Sequence, residues 1–128
     1  MKKVVLVLTV LLSISVNAQE SQADGRRIDV KAFIEKTHKT PILIDVRTPE
    51  EYREGTIPGA MSLNIHSEDF KRATEFLPKE REIIVFCQSG DRSNEAFEML
   101  NSLGFKNVSQ LIGGYEFWRK TNEQRMNK

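Results

Sequence analysis

Ile83-Ile84-Val85-Phe86 runs directly into Cys87-Gln88-Ser89-Gly90-Asp91-Arg92-Ser93. Four apolar residues in a row, bounded by polar neighbours, read as a strand buried on both faces, as in a parallel sheet. Past Ser93, Ala96, Phe97, Met99, Leu100 and Leu103 recur at helical spacing as far as Gly104, so a helix follows the loop. A second unit of this kind lies upstream. Ile42-Leu43-Ile44-Asp45-Val46 is another apolar run, and Thr48-Pro49-Glu50-Glu51 starts a helix. Thr48 caps it, Pro49 takes the first helical position, Glu51 closes a capping box and Gly55 ends it.

The rest of the chain repeats the alternation. Ile28 begins a small edge strand, and Asp29 caps a helix Val30–His38 with Val30, Phe33 and Ile34 on one face. Ile57-Pro58-Gly59 is a turn and Ala60–Ile65 is expected to be a strand. Ser67 is expected to cap a helix reaching about Phe76, before Pro78. Val108–Ile112 is the last strand, Gly113-Gly114 a joint, and Tyr115–Lys120 the opening of a final helix. Lys79-Glu80-Arg81-Glu82 reads as a solvated turn, Trp118 as a core anchor, and His38 and His66 as surface residues. The expectation is an α/β fold, a mostly parallel sheet with helices on both faces. Ligands of such sheets bind beyond the carboxyl ends of the strands. Cys87 stands at one such end and Asp45 and Arg47 at another, so neighbouring strands would bring all three together.

Composition narrows the function. The chain has 128 residues, one domain's worth, with 39% apolar and 29% charged residues. Nineteen basic against eighteen acidic residues give no basic excess, so nucleic acid is not expected as a partner. One Cys excludes a Cys-rich metal site and an internal disulfide framework, and two His leave little for a metal centre. Met1-Lys2-Lys3, the apolar run to Val16 and Val16-Asn17-Ala18 have the three regions of a secretory signal peptide. The apolar run is too short for a membrane span, which needs roughly 20 residues. Residues 1–18 are therefore expected to be removed and the protein exported, periplasmic or secreted. A polar leader 19–27, a domain 28–121 and a polar tail 122–128 that frays complete the expected organisation.

A single thiol in an oxidising compartment invites a chemical reading. The thiolate is the reactive form of Cys. A loop leading into a helix points free N–H groups and the positive end of the helix dipole at its residues. Arg92 adds a full charge, and Gly90 lets the loop curl so that several amides can ring one sulfur, an anion nest. Asp91 opposes this unless it faces solvent. The plainer reading of Cys87 is a small buried hydrophobe, of Arg92 a loop-shaping ion pair, and of Asp45 and Arg47 polar strand ends.

Four pieces in order resemble the single-domain rhodaneses: Asp45-Val46-Arg47; Gly55-Thr56-Ile57-Pro58-Gly59-Ala60; Cys87-Gln88-Ser89-Gly90-Asp91-Arg92-Ser93; and Leu111-Ile112-Gly113-Gly114 with Trp118. The resemblance spans about Ile28 to Arg119. Thr56 departs from it, since the family usually has His there. The resemblance implies about five parallel strands and sulfurtransferase chemistry without metal or organic cofactor. It makes Cys87 the catalytic nucleophile, Gln88, Ser89, Gly90, Asp91 and Arg92 the substrate-binding loop, and Asp45, Arg47 and Ser93 supporting residues. The partners it implies are a small anionic sulfur donor such as thiosulfate and an acceptor that is cyanide, a thiol or a protein. A phosphatase or arsenate reductase on the same scaffold is the main rival. Those loops place five residues between Cys and Arg, whereas four separate Cys87 from Arg92. A non-catalytic binding module and a redox sensor are two more rivals. A disulfide oxidoreductase would need a second thiol nearby.

Overall fold

The computed structural model describes residues 26–128. It is built of β1 (Arg27–Ile28), α1 (Val30–Thr37), β2 (Ile42–Asp45), α2 (Pro49–Glu54), β3 (Met61–Ser62), α3 (Phe70–Thr74), β4 (Ile83–Phe86), α4 (Asp91–Ser102), β5 (Val108–Leu111) and α5 (Gly114–Met126). The five strands form one parallel sheet in the order β1-β5-β4-β2-β3. The α/β class and the parallel sheet are as the sequence predicts, and the two apolar runs are its centre. β2 and β4 are direct neighbours, with Asp45 opposite Phe86.

Alternation along β4 shows why its residues are all apolar. Ile83, Val85 and Cys87 join one core cluster with Ala96, Phe97 and Leu100 of α4 and Phe70 of α3. Ile84 and Phe86 join the opposite cluster with Phe33 of α1, Leu111 and the partly buried Trp118 of α5. A strand covered on both faces has no position left for a solvated side chain.

The helix starts follow their caps. Asp29 accepts from the Ala32 amide at 2.8 Å, and Thr48 and Glu51 form the capping box of α2. Three expected elements differ. β3 is two exposed residues rather than Ala60–Ile65, because only β2 flanks it and the chain leaves that edge after Leu63 and Ile65 donate to Asp45 and Val46 carbonyls. α3 begins at Phe70 rather than after Ser67, whose hydroxyl instead accepts from Asp69 N–H in a local turn. α5 continues through Met126, where the polar composition predicts fraying. The ion pairs Glu116–Lys120 and Arg119–Glu123, each one turn apart, support it. The signal peptide and most of the leader lie outside the described residues.

Candidate active site

The site gathers at the carboxyl edge of β2 and β4, where Cys87 follows β4 and precedes α4. Cys87 is 1% exposed and continues the alternation of β4 onto the α4 face. Its sulfur does not lie in a purely apolar setting. The Gly90 amide donates to Sγ at 3.1 Å, and the thiol donates to Ser93 Oγ at 3.4 Å. Gly90, at φ 139° just before α4, is what turns that amide inward. The expected ring of amides is therefore, among the described residues, one amide and one hydroxyl at the sulfur.

The loop is clamped from the other side by α5. Tyr115 N–H donates to the Cys87 carbonyl at 2.8 Å and Glu116 N–H to that of Gln88 at 3.2 Å. The approach is so close that a Cβ on Gly114, at φ +59°, would collide with the Cys87 and Gln88 carbonyls. This explains the Gly113-Gly114 joint.

Asp45 and Arg47 form a buried ion pair, 2.7 Å from Nη2 to Oδ2. Asp45 also accepts from Arg47 Nε and from the Arg47 amide. Thr56 Oγ1 completes its shell at 2.8 Å, so the residue that departs from the family pattern holds a buried carboxylate in place. Arg47 also donates to Gln88 Oε1 at 3.0 Å and to the Gly55 carbonyl at 2.6 Å, and its guanidinium lies 4.3 Å over the Tyr115 ring. The motif after β2 is thus tied to the loop after β4. Arg47, Glu51, Glu54, Gly55, Gln88, Tyr115 and Arg119 line a cleft of about 400 Å³ beside the loop.

The predicted loop residues divide. Gln88 faces the cleft, Ser89 is exposed, and Asp91 points to solvent, which removes its objection to a bound anion. Arg92 is gripped by Glu51, with Nη1 and Nη2 at 2.6 and 2.8 Å from the two carboxylate oxygens. That fork lowers the Glu51 pKa from its ordinary 4.5 to about 2, against the opposing effect of burial. It raises that of Arg92, and the Cys87 and Asp45 charges add to the effect. Arg92 is therefore a loop-shaping ion pair with Glu51. Sequence reasoning takes Glu51 for a cap alone and passes over Gln110. Gln110 is a polar residue in the buried strand β5, and that anomaly is its signal.

Known proteins bear on this arrangement. Residues 29–121 match the Rhodanese-like domain family. The chain belongs to the rhodanese-like family. The thiosulfate sulfurtransferase GlpE of Stutzerimonas stutzeri is 36% identical over 99 residues, covering 77% of this chain and 88% of that one. A sulfurtransferase of Allochromatium vinosum is 35% identical over 79 residues, covering 62% and 72%. Among solved structures, the human single-domain sulfurtransferase TSTD1 superposes with a TM-score of 0.63 at 26% identity, covering 74% of this chain and 96% of that one. The Alr3790 protein of Anabaena sp. gives 0.65 at 32%, covering 73% and 86%. This rhodanese-like domain has relatives named as sulfurtransferases, and such transfer requires a sulfur donor and an acceptor.

Proposed function

We propose that this rhodanese-like protein is a thiosulfate-type sulfurtransferase working through a persulfide on Cys87. The Cys87 thiolate attacks the outer sulfur of thiosulfate. A sulfur–sulfur bond forms on Sγ, the donor's sulfur–sulfur bond breaks, and sulfite departs with that electron pair. A nucleophilic acceptor, cyanide or a thiol, then attacks the outer sulfur and returns Cys87 as thiolate. Covalent catalysis of this kind needs an activated nucleophile and fixed donors around it.

The observation that carries the reading is the Gly90 amide aimed at Sγ at the start of α4. An N–H donor at the sulfur supports a thiolate there. The four-residue spacing to Arg92, and the relatives' names, support the same chemistry over phosphate chemistry.

The test is thiosulfate:cyanide sulfur transfer by the protein and by Cys87→Ser. The variant is expected to keep its circular dichroism and lose turnover. Mass spectrometry after thiosulfate, without acceptor, should find one added sulfur atom on Cys87. Turnover retained by Cys87→Ser, or no added sulfur on the unaltered protein, overturns the assignment.

A further inference from the structure

Beneath Cys87, on the α4 face of β5, Gln110 reaches the catalytic loop. It is 5% exposed in a strand whose four residues are all buried, with Val108 and Leu111 packed in the two cores. A buried amide is costly unless its hydrogens are used. Nε2 donates to the Gly90 carbonyl at 2.7 Å and to Ser93 Oγ at 3.0 Å. Ser93 is itself fully buried, and its hydroxyl donates to the same Gly90 carbonyl at 3.0 Å. That carbonyl also accepts the first helical bond of α4, from Asn94 N–H at 3.0 Å.

These bonds describe the thiol state. Ser93 Oγ accepts from Gln110 and from the Cys87 thiol, and its own proton is spent on Gly90. Once Cys87 ionises, Sγ has no proton to give, and it gains most if the Ser93 hydroxyl rotates to donate to it. A hydroxyl can do this, because it is both donor and acceptor. The rotation would strip Gly90 of one donor. A carbonyl has two acceptor lone pairs, and with Gln110 present both stay filled, by Asn94 N–H and by Nε2. We infer that Gln110 is a positioning residue for sulfur transfer: by holding the Gly90 carbonyl it frees the Ser93 hydroxyl to turn onto the ionised sulfur. The amide also keeps Oγ within reach, through its second hydrogen.

This rests on Cys87 being the nucleophile, but its test does not need turnover. Other charges around the thiol come from Arg92 with its partner Glu51 of α2, from Arg47 with Asp45 after and within β2, and from Asp91, which faces solvent. Tyr115 lines the cleft beside the loop. Gln110 donates to Gly90 and Ser93 rather than to any of these groups, so changing it leaves them in place.

The experiment titrates the ultraviolet absorbance of the Cys87 thiolate, with Cys87→Ser as blank, which the lone cysteine makes unambiguous. Gln110→Met keeps the length of the side chain and removes both donors. Its thiolate midpoint is expected to rise by about one pH unit, the worth of one charge-assisted hydrogen bond. Donor kcat/KM near neutral pH should fall about tenfold and recover at high pH. Ser93→Ala should raise the midpoint as well, and Gln110→Met/Ser93→Ala should be no worse than Ser93→Ala alone, because no hydroxyl is left to free. Should the two changes add fully, or Gln110→Met leave the midpoint unmoved, the inference is wrong. If Gln110→Met does not fold, an unmoved midpoint in Ser93→Ala overturns it independently. A shifted midpoint in a protein without sulfur transfer would refute the proposed function, and with it the role in sulfur transfer, while the coupling of Gln110 to the thiolate through Ser93 would stand.

Discussion

Arg47 shows how much rests on single side chains here. It is 2% exposed, and it neutralises an Asp45 that has no contact with solvent. Breaking a buried pair by removing one partner leaves an uncompensated charge. Arg47→Met is expected to lower stability by about 3–5 kcal/mol, read as a reduced urea midpoint. Asp45→Asn with Arg47→Met should recover part of that loss, and a single variant as stable as the parent would refute the account. The same scale explains the handling of Cys87. Burial to 1% exposure shields the sulfur from a bulky aromatic disulfide reagent. We predict modification by such a reagent to be slow in the folded protein and fast in urea.

At the scale of elements, the site is a meeting of helix ends. α5 presses its first amides on the carbonyls of Cys87 and Gln88, and α2 holds the first turn of α4 through Glu51 and Arg92. Gly114→Ala is expected to destabilise the fold by at least about 1–3 kcal/mol, since φ +59° and the carbonyl contacts both oppose a Cβ. Donor kcat/KM should fall with it, because the loop must shift, and a neutral effect on both would contradict the clamp. The Glu51–Arg92 bridge has a pH signature. The folded pKa of Glu51 is depressed from 4.5 to about 2, so its stabilisation is complete above 4.5 and lost as pH falls through 2. Its size is on the order of 1 kcal/mol, because the pair is partly solvated. Glu51→Gln should be less stable than the parent at neutral pH and close to it at pH near 2. A constant gap across that window would show that the bridge is not the cause.

The described residues form a parallel sheet with a core on each face, and most of their buried polar side chains lie toward the carboxyl ends of the central strands. Asp45, Arg47, Ser93 and Gln110 are all buried there. Among the described residues, no helix is long and apolar enough to cross a membrane, and no group of three or more His, Cys, Asp or Glu could hold a metal ion. We propose in addition that residues 1–18 are cleaved on export. The expected outcome is a mature N-terminus at Gln19 when the full chain is expressed in a secreting host. Recovery of the intact N-terminus inside the cell would reject it.

The sequence alone determined the strand and helix alternation, the caps of α1 and α2 and the position of Cys87, because these depend on local pattern and on residues close along the chain. It overran β3, α3 and the fraying of the tail, where edge pairing and ion pairs one turn apart outweigh local preference. Which charge meets which was a tertiary matter. Arg92 lies forty-one positions along the chain from Glu51, Gln88 the same distance from Arg47, and Gln110 seventeen positions from Ser93. Such pairs form because sheet order places β2, β4 and β5 side by side, and nothing in the local sequence encodes that order.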